Sequence, residues 1–262
     1  MKGETIKVLD RALEIMRHLA LDPRGRALGE LSASLKLPKS TTRRFLLTLA
    51  RHGFVEQDPE TERYRLGLVV LGLSTAVQRH SSLAAAAQPV LERLRDDSGE
   101  TAAVHVRFGD VRVCLAVAES RERVRYVHEV GQATPLYAGA QSKVLLAALA
   151  PDERAAFLAR VPLRPLTERT LVEPMALAEE LERVRRLGYA VSTGEVTRDA
   201  AAVAAPLHDR TGRTVASIGV TGPLSRLSAP RLTELVPLVV AAAADVSRRL
   251  GYPLALVQPA SA

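Results

Sequence analysis

Lys39, Ser40, Thr41, Arg43, Arg44, Thr48 and Arg51 crowd cations and short hydroxyls into thirteen consecutive residues. Ammonium and guanidinium groups suit phosphate, and the planar fork of arginine also fits the edge of guanine. At 100° per residue, Thr42, Phe45, Leu46, Leu49 and Gly53 fall in one arc, whereas Ser40, Thr41, Arg44, Thr48 and Arg51 fall in the opposite one. One side is built to pack and the other to meet a polyanion. Lys39 or Ser40 opens this predicted helix, where free backbone amides and the helix dipole favour a phosphate. Leu47 breaks the pattern and is expected to pack on a neighbouring hairpin.

The flanking residues supply the elements that would hold this helix. Leu28, Leu31 and Leu35 mark a preceding helix, and Leu37-Pro38 interrupts it, which predicts a helix-turn-helix. Upstream, Ile6, Leu9, Leu13, Met16 and Leu19 or Ala20 predict an amphipathic helix covering the inner face of the pair, ended by Asp22-Pro23-Arg24-Gly25. Downstream, Phe54 to Glu56 and Arg63 to Leu66 read as a two-stranded ribbon turning at Asp58-Pro59-Glu60-Thr61. The unit is then a winged helix-turn-helix over residues 1–66, with Arg63 and Arg65 placed on the sugar-phosphate backbone. The competing reading is a helical hairpin with a solvated basic face and no nucleic-acid partner. Charge leans toward the first, since about +5 of the net +7 lies in residues 1–80.

Residues 67–82 read as a linker helix that is apolar on more than one face, which suits packing against a second copy. From Leu83 an Ala-rich helix reaches Ser98-Gly99, followed by alternating strands. Ala102, Val104, Val106 and Phe108 share one predicted face, and Val111, Val113, Leu115 and Val117 share another. Val124 to Val130 suggests a third strand. Helices are expected from about Gln141, Pro151, Pro174 and Pro230. Ala190 to Gly194, Ala202 to Leu207 and Thr214 to Thr221 complete the strands. Hairpin-linked strands with inserted helices predict an α+β domain over residues 83–262, an architecture that leaves room for a small molecule.

Other chemistries find little support. Cys114 is the one cysteine, so no internal disulfide or thiolate zinc cage is expected, and its apolar setting predicts an inert thiol. The six histidines lack metal-ligand spacing, no metal or cofactor is expected, and no nucleophile elbow or phosphate-binding loop occurs. Ser142 and Lys143 are adjacent and diverge by about 100° on a helix, so they do not form a catalytic pair. The chain is not expected to be an enzyme. No stretch approaches 18 apolar residues and no signal-type core opens the chain, so a cytoplasmic protein without membrane association is expected.

The ordered set of motifs resembles the IclR family of bacterial transcription regulators over nearly the whole chain. It comprises Leu37-Pro38-Lys39-Ser40-Thr41 before Arg44 and Leu46, Tyr64-Arg65-Leu66-Gly67, Ser98-Gly99-Glu100-Thr101, and Ala138 to Lys143. Gly188-Tyr189-Ala190 with Glu195, Ala204-Ala205-Pro206-Leu207 with Asp209 and Gly212, and Gly219 to Pro223 complete it. The resemblance implies a winged helix-turn-helix, a dimerising linker helix and a GAF-like effector domain. It implies homodimers or dimers of dimers that repress or activate catabolic operons on a double-stranded operator in response to small organic acids or aromatic compounds. By position, it implies an effector site at Gly139, Ala140, Gln141, Ser192, Ala200, Ala202, Gly219 and Thr221.

The residue types fit a carboxylate with an apolar portion. A helix starting at Gly139-Ala140-Gln141 presents unpaired amides to an anion, and small Ala202 and Gly219 leave volume for an apolar body. His105, Arg107, Tyr126 and Tyr137 read as surface or edge-strand residues. The alternative function is a ligand-sensing dimerisation module whose winged helix binds a protein; Ser40, Arg44 and Arg51 on one face weigh against it.

Overall fold

The computed structural model describes residues 6–22, 24–73 and 82–253. The chain divides into two units, Met1–His80 and Ser81–Ala262. In the first, α1 (Lys7–Ala20), α2 (Leu28–Leu35) and α3 (Lys39–Arg51) precede a hairpin of β1 (Val55–Gln57) and β2 (Tyr64–Leu66). Leu31, Leu35, Leu46, Val55 and Tyr64 form its core with Ile15 and Leu19. Lys36, with φ of 52°, ends α2 in the left-handed region and swings the chain into α3. Gly67 lies against the backbone of Gly53 so closely that a Cβ would meet its carbonyl oxygen, which seats the hairpin on the end of α3.

Two details of this unit differ from the sequence reading. The packed side of α1 runs through Ile15 and Leu19, while Ile6, Leu9 and Leu13 stay 69%, 54% and 48% exposed. The helix carries two apolar stripes, and periodicity alone does not say which one meets the core. Leu47 is 58% exposed rather than covered by the hairpin, because Val55 and Tyr64 pack toward the Leu46 side of α3. Residues 68–73 are helical, as expected for the start of a linker; 74–81 lie outside the described residues.

The second unit is α+β. Its six strands run in the order β5-β4-β3-β8-β7-β6, and all neighbours are antiparallel. These are β3 (Thr101–Phe108), β4 (Val111–Ala118), β5 (Ala133–Pro135), β6 (Ala190–Thr193), β7 (Ala200–His208) and β8 (Thr214–Pro223). On one face, α4 (Ser82–Ser98) and α8 (Ala229–Arg249) bury Leu91, Val104, Ile218 and Val239 in one apolar cluster. On the other, α5 (Ala140–Ala147), α6 (Pro151–Arg160) and α7 (Pro174–Leu187) build a second cluster around Leu146, Phe157 and Leu181.

The register of β3 on β4 shifts between Val104 and His105. His105 therefore pairs with Cys114 whereas Val104 pairs with Ala116, and Leu115 is the extra residue of the bulge. The face expected for β3 holds at Ala102, Val104 and Val106, with Phe108 exposed at its end, whereas the face expected for β4 does not survive this shift. The buried positions of β4 are Arg112, Cys114, Ala116 and Ala118, not the valines between them. Before the bulge Arg112 and Cys114 share the face of His105; after it Ala116 and Ala118 join the α4–α8 cluster. Val124 to Val130 is not a strand, and the third strand is β5. Backbone carbonyls of that segment are taken by side chains instead: Thr101 Oγ1 donates to Tyr126 O at 2.6 Å and Arg226 Nη1 to Val124 O at 2.9 Å.

Candidate functional site

On α3 the buried residues are Thr42 and Leu46, with Phe45 and Leu49 half-buried. Lys39, Ser40, Arg43, Arg44, Thr48 and Arg51 are exposed and Thr41 is half-buried. The helix contains no acid, and no side chain caps its first turn. Among the described residues, no carboxylate pairs with Lys39, Arg43, Arg44 or Arg51. The face is thus a run of solvated positive charge with open amides at its start, suited to phosphate and base edges.

The wing arginines stand differently. Arg63 donates through Nε to Gly25 O at 2.9 Å and through Nη2 to Glu30 at 2.8 Å. Glu30 also accepts the Ala27 amide at the start of α2, and that hydrogen bond and the Arg63 charge overcome a small burial effect to hold its pKa below the usual value. Arg65 pairs with Asp58 at 2.8 Å across the hairpin turn. Both residues brace the wing, so their charge is partly neutralised before any phosphate approaches.

In the second unit a small recess, partly open to solvent and with an enclosed volume of about 20 Å³, lies between the sheet and the start of α5. Gly139, Gln141, Ser192, Ala200, Ala202 and Thr221 line it. Ala140 and Gly219 do not. A Cβ on Gly219 would fall 2.3 Å from Val203 O, so this glycine serves the close approach of β7 and β8. The pairs Ser192–Ala202 and Ala202–Thr221 bring three strands to one floor. Gln141 Nε2 donates to Thr221 Oγ1, and His128 Nε2 meets the same oxygen, each at 3.2 Å.

The helix start is not free for a carboxylate in the way its sequence suggests. Glu195 Oε2 accepts the Gly139 amide at 3.0 Å, and its Oε1 accepts Lys143 Nζ at 2.7 Å. Lys143, 1% exposed, also donates to Glu180 at 2.9 Å and to Val191 O at 2.9 Å, which satisfies all three of its protons. Burial opposes ionisation of Glu180, but hydrogen bonds from Arg183 and Lys143 outweigh it and hold the carboxyl below its usual range. Ser142 donates to Pro135 O. A protein carboxylate already occupies this end of the dipole, and a ligand anion there would meet like charge.

Opposite it the recess holds groups that the sequence reading set aside or missed. Arg112 is 3% exposed; its Nε and Nη1 are buried without a hydrogen-bond partner. Burial lowers its pKa to about 10, which leaves it charged near neutrality. His128 sits 5.0 Å from His105 and 4.9 Å from Tyr126, ring to ring. Burial and then the Arg112 charge push His128 down to about 3, and the same causes lower His105 well below its ordinary value. Both imidazoles are neutral at pH 7. Tyr126 lines the recess, while Arg107 pairs outside with Glu153 and Tyr137 donates to Arg164 O. The available signal for Arg112 was an arginine centred between valines of an otherwise apolar strand.

A helix-turn-helix profile, the IclR helix-turn-helix domain, matches residues 8–59, and the bacterial transcriptional regulator IclR C-terminal profile matches residues 75–248. The chain belongs to the IclR family of transcriptional regulators. It is 36% identical over 242 residues to the HTH-type transcriptional regulator BhcR of Paracoccus denitrificans, covering 92% of this chain and 86% of that protein. Against the HTH-type transcriptional repressor AllR of Escherichia coli K12 it is 33% identical over 245 residues, or 94% and 90% of the two chains. The crystal structure of an IclR-type transcriptional regulator from Alicyclobacillus acidocaldarius superposes with a TM-score of 0.82 at 26% identity, over 95% of this chain and all of that one. This IclR-family chain is a DNA-binding transcriptional regulator and not an enzyme. Among its described residues, no helix is long and apolar enough to cross a membrane.

Proposed function

We propose that this regulator binds the operator of a catabolic operon sequence-specifically and that a small organic acid in the α5–sheet recess modulates its affinity. The observation that carries the reading is the union, in one chain, of an acid-free cationic face on α3 with a recess lined by Gln141, Ser192, Thr221 and a buried arginine. The first unit lays α3 in the major groove through Lys39, Ser40, Thr41, Arg43, Arg44, Thr48 and Arg51. Two copies on a two-fold axis read a palindromic site, as a homodimer or a dimer of dimers. Exposure of Leu68 at 79% and Leu73 at 51% supports a linker that meets a second copy. The effector shifts DNA affinity only by its differential affinity for two arrangements of the dimer.

The test selects genomic fragments with the purified protein at about 150 mM salt, where non-specific phosphate binding is weakened. Enrichment of a palindrome beside catabolic genes is expected; uniform recovery of fragments overturns sequence-specific binding. In parallel, Ala202→Phe should abolish the effector response and leave operator affinity unchanged. A fully responsive variant places the effector elsewhere.

A further inference from the structure

We propose that Leu254-Ala255-Leu256-Val257 folds back as a strap into an apolar groove at the C-terminal ends of α5 and α7. The groove is open to solvent, has a volume of about 550 Å³ and shares no lining residue with the recess. Val144 and Ala147 of α5, Leu149 just beyond it, Val184 of α7 and Pro206 of β7 line it. Its polar side chains are engaged with neighbours. Arg185 pairs with Glu182 at 3.2 Å, and Thr214 Oγ1 meets His208 Nδ1 at 3.4 Å. Burial holds His208 below its ordinary pKa, so the imidazole is neutral at pH 7. Such a lining suits aliphatic side chains better than a charged metabolite.

The chain delivers its own segment to this place. At the end of α8 the Gly251 amide donates to Arg248 O and the Tyr252 amide to Ser247 O, each at 2.9 Å, while Gly251 takes a φ of 87°. This is a Schellman stop, and Pro253 bars a further helical turn. The turn lays the ring of Tyr252 5.1 Å from that of His208, a residue of the groove lining. Residue 254 therefore follows at the rim of the groove. Leu254, Leu256 and Val257 bring three aliphatic side chains in four residues, with no charge among them, and their burial against Val144, Val184 and Pro206 removes apolar surface from water on both sides. A tethered segment is present at an effective concentration on the order of millimolar, which favours it over a second copy. Once seated, the strap covers the end of α5, whose opening residues Gly139 and Gln141 line the recess. One helix then carries a site at each end.

Thiol labelling of the full chain tests the strap. Cys114 is buried, and burial pushes its pKa up to about 11, so an introduced cysteine reports alone. Leu256→Cys should react with an aromatic disulfide reagent about tenfold more slowly than Ser261→Cys, or slower still. In the Leu256→Cys background, Ala148→Glu puts a charge into the groove at an exposed position and should erase the protection. Ala156→Glu, exposed outside the groove, should preserve it. Leu254→Asp should erase it from the side of the strap, which keeps the test decisive should Ala148→Glu fail to fold. Equal rates at positions 256 and 261, protection that persists in Ala148→Glu or Leu254→Asp, or protection lost in Ala156→Glu overturns the strap. Light scattering identifies the rival occupant: Ala148→Glu should keep the molar mass of the wild type, and a lower mass assigns the groove to a second copy and overturns the intramolecular strap.

Discussion

Lys39, Arg43, Arg44 and Arg51 stand in water on α3, and Arg112 stands enclosed at the recess beside α5; none has an acidic partner among the described residues. The two settings make the same kind of charge do different work. In water a lone cation costs almost nothing, and its attraction for phosphate is long-ranged, additive and weakened by salt. Enclosed, a lone cation raises the free energy of the fold until an ordered water or an anion accepts its hydrogen bonds. Exposed cations thus supply affinity for any polyanion, and base-edge contacts must add the discrimination. Lys143 marks the third case, enclosed but fully satisfied, and there the charge organises structure instead of awaiting a ligand.

Breaking that third case should have the largest effect. Lys143→Met leaves Glu195 and Glu180 without their buried counter-ion and should destabilise the second unit by about 3–5 kcal/mol in denaturant titrations. A loss near zero would mean that the network is not coupled to folding. Next, Arg44→Ala should cost about 1–3 kcal/mol at the operator and lower the slope of log affinity against log salt by about one unit. An unchanged slope would remove Arg44 from the phosphate or base contacts.

Acid sharpens the contrast between the two units. The folded pKa of His128 is about 3 against an unfolded value near 6.5, so the unfolded chain takes up the proton first. Stability from this group is complete above about pH 6.5 and is lost as pH falls from there toward 3. Between pH 6.5 and 5 the loss should reach about 2 kcal/mol, with His105 acting in the same direction. Arg112, His105 and Tyr126 face His128, and none of them supplies a negative charge near neutrality that would blunt the effect. His128→Asn should flatten the melting-temperature profile over this range; an identical profile would assign the acid sensitivity to other groups. The smallest effect belongs to the wing. Because Arg63 is held by Glu30 and Gly25, Arg63→Gln should change the salt slope by less than Arg44→Gln does. Equal slopes would mean that DNA displaces the Glu30 pairing.

Much of the first unit was legible because its logic is local. The 3.6-residue period separates Thr42 and Leu46 from Arg44 and Thr48, and Leu37-Pro38 sets the turn regardless of what packs nearby. Where a helix offers two apolar stripes, as in α1, the period is silent about which is buried. Leu9 and Leu13 look no different in sequence from Ile15 and Leu19. In β4 a perfect alternation was misleading, because one bulge transfers every following residue to the other face.

Sequence alone therefore determined the order of elements, the cationic side of α3 and the family of the chain, since each depends on neighbours within a few residues or on motifs in fixed order. Tertiary structure decided what the recess contains. It placed Glu195 on the amide of Gly139, 56 residues away, and closed Lys143 between two carboxylates. It also turned Arg112 inward with His128 beside it. Such pairings and their solvation depend on which distant groups share one low-dielectric space, and linear spacing carries no record of that.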